Sequence, residues 1–396
     1  MFQGQTPAPP DPILGLTEAF KADTNPDKIN LGVGVYKDAN GRTPVLDCVK
    51  EAERRILDAQ VDKSYKPIDG DPGYIAAVQR MVFGAHHAII HARRAATAHT
   101  PGGTGALRVA GDYLKQRHAN TTLWLSEPTW ANHPKIFASA GVPTKTYAYF
   151  DAAANALDFD ALLKALEQIP AGDVVLLHGC CHNPTGVDPT AQQWGEIAKV
   201  LADRQVVPLL DFAYQGFGDG LEEDAVGIRV LADALPEMII CTSYSKNFSL
   251  YNERVGALTV VAENANDAAA VLSHVKIAIR TNYSNPPAHG GAIVHAILTD
   301  EALTRQWLDE LAAMRDRING MRAMLVDRLK AHNAPRDFEF IRQQRGMFSN
   351  SGLTADQVNA LRENHAIYIV GSGRINVAGV SEDNIDRLAE AMVGVM

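Results

Sequence analysis

Between Thr121 and Val261 short apolar runs alternate with stretches of helical spacing. The runs Thr122–Ser126, Thr144–Tyr149, Val174–His178, Val206–Leu210, Met238–Ile240 and Val255–Val261 read as strands. The run ending at Ile240 shows no polar alternation, which suits a strand buried on both faces of a parallel sheet. Among the helical stretches, 191–202 is the clearest. Trp194, Ile197 and Leu201 share one face there, and Thr190 stands where an N-cap belongs. A longer pattern, Leu303, Trp307, Leu311, Met314, Ile318, Met321 and Leu325, predicts one helix from Asp300 to about His332, long enough to bridge two domains. Beyond it, Phe338–Ile341, Ala366–Val370 and Ile375–Val377 are strand-like and a last helix follows. The pattern predicts an α/β fold with a mostly parallel central sheet flanked by helices, plus a smaller α+β domain. The expected division is an N-terminal arm at 1–11, a small domain from 12–43 with 313–396, and a large domain at 44–312. Pro7, Pro9, Pro10 and Pro12 make the start of the chain extended rather than helical.

Composition narrows the class without naming a chemistry. The 396 residues are 46% hydrophobic and 21% charged, an ordinary globular balance. A net charge of −9 argues against nucleic acid or an anionic membrane as partner, but leaves room for a local cationic pocket. Four cysteines in so long a chain make no disulfide framework and point to a reducing cytoplasm. The first residues have neither a basic nor an apolar signal region, and no stretch is apolar enough to span a bilayer.

The chemistry gathers at 241–256, C-T-S-Y-S-K-N-F-S-L-Y-N-E-R-V-G. The apolar run breaks into Ser243-Tyr244-Ser245, then Lys246, and Arg254 precedes the next run. A lysine just past a sheet strand suits a Schiff-base nucleophile, because burial lowers its pKa, while hydroxyls and a guanidinium suit a phosphate. A solvated loop lysine is the plainer reading of one Lys in isolation. At Thr100-Pro-Gly-Gly-Thr-Gly a helix opens, with Leu107, Ala110 and Leu114 at helical spacing. Its free N–H groups offer a second place for phosphate. A dinucleotide fingerprint starting at Gly103 fails, because Arg108 stands at the last glycine position. Gly32 and Gly34 in I-N-L-G-V-G-V-Y mark close backbone approach or a strand bulge. The loop 64–74 is rich in Gly and Pro and carries Tyr65.

Three strings mimic other sites. His178-Gly-Cys-Cys-His182 lacks the spacing of a zinc knuckle, and His87-Ala-Ile-Ile-His91 lacks the glutamate of a zincin helix. No metal is expected. Ser243-x-x-Lys246 matches S-x-x-K, but the S-D-N and K-T-G partners of serine acylases are missing.

The segment S-Y-S-K-N-F-S-L-Y-N-E-R-V-G resembles the cofactor-lysine motif of the aspartate/aromatic aminotransferases, fold-type I enzymes that use pyridoxal 5'-phosphate. The resemblance continues in D-P-I-L-G-L at Asp11, N-L-G-V-G-V-Y-K-D at Asn30, T-P-G-G-T-G-A-L-R at Thr100, H-N-P-T-G at His182, D-F-A-Y-Q-G-F at Asp211, R-T-N-Y-S-N-P-P at Arg280 and G-R-I-N-V-A-G at Gly373. It implies that Lys246 is the cofactor lysine and general acid/base. Asp211, otherwise a helix N-cap, would pair with the pyridine nitrogen, with His133 holding it. Tyr214 and Asn183 would bond the 3'-oxygen and Trp130 would stack on the ring. Gly102, Gly103, Thr104, Ser243 and Arg254 would hold the phosphate, joined by Tyr65 of the other subunit. Arg374 would clamp the substrate α-carboxylate, with the Gly34 amide beside it, and Arg280 of the neighbouring subunit would take the side-chain carboxylate. The resemblance therefore implies a homodimer with shared sites. Its reaction would move the amino group of L-aspartate to 2-oxoglutarate, giving oxaloacetate and L-glutamate by a ping-pong mechanism. Aromatic amino acids as main donors, a PLP-dependent decarboxylase or lyase, and a non-catalytic PLP-binding module are the other readings. Two residues depart from the family pattern: Ser249 replaces a glycine, and Asn350 replaces a phenylalanine in a stretch expected to face the substrate.

Overall fold

The structure, a computed structural model, describes residues 2–7 and 14–396. Residues 2–7 are exposed; the other prolines of the expected arm, Pro9, Pro10 and Pro12, lie outside the described residues. In chain order the strands are β1 (Ile29–Asn30), β2 (Ala95–Pro101), β3 (Leu123–Glu127), β4 (Thr144–Ala148), β5 (Phe150–Asp151), β6 (Ala156–Leu157), β7 (Val174–His178), β8 (Val207–Phe212), β9 (Met238–Ser243), β10 (Val255–Val261), β11 (Phe348–Asn350), β12 (Ile367–Tyr368) and β13 (Arg374–Asn376).

Seven of them form the central sheet in the order β2-β10-β9-β8-β7-β3-β4. Only β10 runs against its neighbours; every other pairing is parallel, and β2 points the same way as β9 because both oppose β10. β7, β9 and β10 are buried at every residue, as a sheet covered by helices on both faces requires. Their side chains sort by alternation. Val175, Leu177, Leu210, Phe212 and Ile240 enter one apolar cluster, and Val174, Leu176, Leu209, Ile239 and Cys241 enter the other. A shared strand direction places the ends of β2, β3, β7, β8 and β9 on one edge, together with the start of β10. His178, Asp211 and Cys241 lie in register across three of these strands. Ligands of open α/β sheets bind outside such carboxyl ends.

Thr190 caps the helix Ala191–Arg204 in a reciprocal box with Gln193, and Trp194, Ile197 and Leu201 are buried beneath it. The long helix is Glu301–Ala331, capped by the Asp300 side chain on the Leu303 amide, with all seven expected apolar positions buried. The tail and the N-terminal segment do meet, β1 pairing with β12 in parallel; within the tail, β11 pairs with β13 antiparallel.

Some expectations shift. The 338–341 piece is not a strand but leads into the helix Glu339–Gln343, with Phe338 and Ile341 buried on one turn. The strand in that region is β11, ten residues later in the chain than Phe338. The loop from residue 64 ends at Asp71, whose carboxylate caps the helix Pro72–Phe83 through the amides of Gly73 and Tyr74. His87 stands outside the four-residue helix Ala88–His91, its Nδ1 accepting from the Ile89 amide at 3.2 Å. The two histidines therefore do not share a helix face.

Candidate active site

A cavity of about 420 Å³ opens at the strand ends, lined among others by Gly34, Gly103, Thr104, Trp130, Asn183, Asp211, Tyr214, Ser243, Lys246, Arg254 and Arg374. The residues contributed by one chain thus converge as the sequence suggested. Gly102 adjoins them at the start of the helix Gly102–Arg117. It has φ of +74°, and a Cβ there would collide with the Arg254 guanidinium, so glycine is required twice over. Tyr65 and Arg280 stand elsewhere. Tyr65 is 93% exposed, and Arg280 is exposed near the end of the helix Ala265–Asn282, bonded to the Ser284 hydroxyl.

One end of the cavity is rich in donors. Arg254 Nη1 donates to Ser245 Oγ at 3.1 Å, and the Ser243 hydroxyl donates to Ser245 Oγ at 3.2 Å. The helix beginning at Gly102 presents its unpaired N–H groups beside them, so hydroxyls, guanidinium and helix dipole favour the same anion.

The floor is Asp211, placed by β8. Its Oδ2 lies 3.0 Å from His133 Nε2, and Thr129 Oγ1 lies 2.8 Å from His133 Nδ1 and 3.4 Å from His178 Nε2. The Asn183 amide donates to His178 Nδ1 at 3.0 Å, which leaves the ring hydrogen on Nε2. A single direction of donation then runs from Asn183 through His178, Thr129 and His133 to the carboxylate. Burial pushes the Asp211 carboxyl upward, but the hydrogen bond from His133, with the Lys246 ammonium acting in the same direction, outweighs it and holds it below its ordinary value. Burial drives His178 down to about 3, so this imidazole is neutral. Trp130 packs edge-on to His133, centroids 5.2 Å apart.

Lys246 leaves the end of β9 and lies with Nζ 4.6 Å from the centre of the Tyr214 ring. Burial lowers its pKa to about 8, with Arg254 and Arg374 pushing the same way and Asp211 opposing. The result is an amine poised for nucleophilic and acid/base work near neutral pH. Burial raises the Tyr214 hydroxyl above its ordinary value, so it keeps its proton and can donate.

At the other end Arg374, 4% exposed, donates from Nη1 to Asn183 Oδ1 at 3.1 Å and from Nη2 to the Gly32 carbonyl at 2.6 Å. Its guanidinium lies 4.1 Å from the centre of the Phe348 ring, and its Nε has no partner. Burial lowers it to about 10, still cationic at neutral pH. A buried, incompletely satisfied guanidinium is suited to a carboxylate. A Cβ on Gly34 would come 2.9 Å from Phe348 Cζ, which explains that glycine by close approach.

Phe348, Ser245 and Tyr251 also line the cavity and were absent from the expected site. The hydroxyl-rich turn before Lys246 pointed to Ser245; nothing local singled out Phe348. Asn350 faces away from its expected role: its Oδ1 accepts the Gly352 amide at 2.7 Å, and Phe348 provides the apolar wall under Arg374. Ser249 adopts φ of +54°, the region that favours glycine, and its hydroxyl donates to the Pro44 carbonyl at 2.6 Å. In the decoy string, His178 and His182 stack on each other, whereas Cys180 and Cys181 approach Asp224. Burial raises both thiols, so they hold their protons, and Asp224 already accepts from the amides of Gly216, Gly218 and Asp219.

Comparison with known proteins agrees with this geometry. The profile of the family "Aminotransferase class I and II" matches residues 26–392. The chain is 53% identical to the aspartate aminotransferase of Escherichia coli over 396 residues, covering all of both chains. It is 48% identical to the aromatic-amino-acid aminotransferase of Pseudomonas aeruginosa over 387 residues, covering 98% of this chain and 97% of that one. The crystal structure of the aromatic-amino-acid aminotransferase from Burkholderia pseudomallei, covalently bound to pyridoxal phosphate, superposes with a TM-score of 0.97 at 48% identity, over 100% of this chain and 99% of the other. With its sheet, its buried lysine and these matches, the chain belongs to the class I and II aminotransferase family.

Proposed function

We propose that this chain is a pyridoxal 5'-phosphate-dependent aminotransferase that moves the amino group of L-aspartate to 2-oxoglutarate, giving oxaloacetate and L-glutamate by ping-pong turnover. The observation that carries the reading is Lys246, an amine held at about 8 in a cavity whose opposite walls are an ionised carboxylate and a partly unsatisfied arginine. The donor set fits the cofactor: Gly102, Gly103, Thr104, Ser243 and Arg254 for a phosphate, and Asp211 for a protonated ring nitrogen. When bound, pyridoxal 5'-phosphate supplies an electron sink for the charge that develops at the substrate α-carbon.

The chain's own residues do the rest. Lys246 is the residue that would hold the cofactor, and its freed amine would take the proton from the substrate α-carbon and pass it to the cofactor as general acid/base. Asp211, kept ionised by the His133 hydrogen bond, would hold the ring nitrogen in its charged form. Tyr214 and Asn183 would donate to the ring oxygen, and Trp130 would shield the ring from water. Arg374 binds the α-carboxylate, with the Gly34 amide near it. Arg280 and Tyr65 serve the site of a second copy, Arg280 taking the side-chain carboxylate. Leu57, Val61 and Ile277, exposed at 74%, 94% and 54%, neighbour Tyr65 and Arg280 in sequence and support a homodimer that covers them. The two-domain division, with the arm at 1–11, belongs to the same reading, supported by the pairing of β1 with β12. A cytoplasmic location is supported by four free cysteines and by the finding that no described helix is long and apolar enough to cross a membrane.

Aromatic amino acids as donors form a second reading, favoured by Phe348 and Trp130 in the cavity wall and by the similarity to aromatic aminotransferases. The test is a panel of amino donors with 2-oxoglutarate. Formation of L-glutamate, fastest with L-aspartate, is expected. Release of carbon dioxide or ammonia without amino exchange would indicate a decarboxylase or lyase instead.

A further inference from the structure

A second cavity, of about 400 Å³, lies behind the loop that follows β7 and is lined by Asp188, Asp224, Cys180, Gln344 and Arg345 among others. Asp188 is not among the residues that line the catalytic cavity. Its carboxylate is nonetheless committed. Oδ2 accepts the Cys181 amide at 2.6 Å and Oδ1 accepts the His182 amide at 2.8 Å. Cys181 has φ of +52°, a conformation that non-glycine residues hold only when their surroundings dictate it. Successive N–H groups around such a residue form a concavity for an anion, and here the anion is a side chain from six or seven residues further on. The next amide, of Asn183, is spent on His178 Nδ1, and the next side chain, also of Asn183, receives Arg374. The loop closes on itself through the Gly186 amide on the His182 carbonyl at 2.7 Å.

We propose that Asp188 is a positioning residue for substrate binding: by tying down the amides of Cys181 and His182 it sets the reach of Asn183, and through Asn183 the aim of Arg374. The inference rests on the reading of Asn183 and Arg374 as groups that meet the substrate. Burial, with Asp224 opposite, raises the Asp188 carboxyl to about 6 in spite of its two amide bonds and Arg345. At neutral pH it is mainly the carboxylate, with one acceptor oxygen for each amide. An amide in its place would offer one acceptor oxygen and turn an NH2 group toward the other N–H.

The test uses the holoenzyme and succinate, a four-carbon dicarboxylate with no amino group to react, with affinity read by calorimetry. Asp188→Asn is expected to weaken succinate about tenfold, the scale of one lost hydrogen bond to a charged group. In an Asn183→Ala background the same change is expected to add less than about twofold, because the path from Asp188 to Arg374 is already cut. A merely structural aspartate would produce the same loss in both backgrounds, and that outcome overturns the proposal, as does unchanged affinity in the single variant. Should Asp188→Asn not fold, Asp188→Glu, which keeps the charge but displaces it by a methylene, is read in the same cycle. Failure of the aminotransferase reading itself would show separately, as absent amino exchange in the wild type.

Discussion

Arg374 and Arg280 are given parallel duties, one carboxylate each, yet they sit in opposite surroundings. Arg374 is almost wholly buried, bonded to Asn183 and to the Gly32 carbonyl, backed by Phe348, and lowered to about 10 by burial. Arg280 is exposed near a helix end and bonds only a neighbouring serine hydroxyl among the hydrogen bonds found for it. Arg374 is already desolvated within one folded chain, and its aim is set by Asn183 and the Gly32 carbonyl. Arg280 has no such preparation until another surface covers it. If Arg280 serves a second copy as proposed, one chain builds the reacting centre and the grip common to every amino acid, and recognition of the second carboxylate is left to assembly.

Removing the prepared arginine should have the largest effect. Arg374→Ala takes one partner from a buried charge pair, a loss of about 2–5 kcal/mol, or roughly 30- to several-thousand-fold in kcat/KM. Aspartate and phenylalanine should suffer alike, since both carry an α-carboxylate. A loss confined to aspartate would mean that Arg374 reads the side chain. Arg280→Ala should lower kcat/KM for aspartate and glutamate toward the weaker end of the same range and leave phenylalanine and tyrosine within a few fold. Equal losses for all four donors would reduce Arg280 to a structural role and dissolve the contrast.

A smaller and graded effect concerns Lys246. Its pKa stands at about 8 against an ordinary 10.5, so between those values the folded chain has shed a proton that the unfolded chain keeps. This group's contribution to the stability of the cofactor-free protein therefore rises with pH across that window. Its rate of capturing pyridoxal 5'-phosphate should climb with pH and level off above about 8. A rate still climbing toward pH 10.5 would mean that the amine is solvated rather than buried.

Much of this was legible in the residues because it is local. Apolar runs gave β7 and β10 to the residue and the first half of β9, and Thr190 announced its own helix. Lys246 and Asn183 follow strand ends and Asp211 stands one residue before the end of β8, where an α/β sheet collects its ligands, and the family motifs attached roles to them. What stayed hidden depends on contacts between distant segments. Phe348 belongs to an unremarkable Met-Phe-Ser run, and only the pairing of β11 with β13 brings it under Arg374. The Tyr251 hydroxyl accepts the Tyr36 amide at 2.8 Å, across more than two hundred residues. Asn350 was expected near the substrate because the family pattern has a phenylalanine there, while its side chain closes a local turn with Gly352. Phe338 and Ile341 misled for a simpler reason: two apolar residues three apart fit one helical turn as well as a short strand.

The division of labour between the two arginines is tested most directly by a mixed dimer. Chains carrying Lys246→Ala and chains carrying Arg280→Ala are co-expressed with different tags, and the hybrid is isolated through both. If each site takes Lys246 from one chain and Arg280 from the other, one site of the hybrid receives both defects and the other neither. Aspartate activity should then recover to about half that of the wild type, as independent, distant sites are additive. If both residues belonged to the site of the same chain, every site would keep one defect, and a hybrid no more active than its parents would contradict the account.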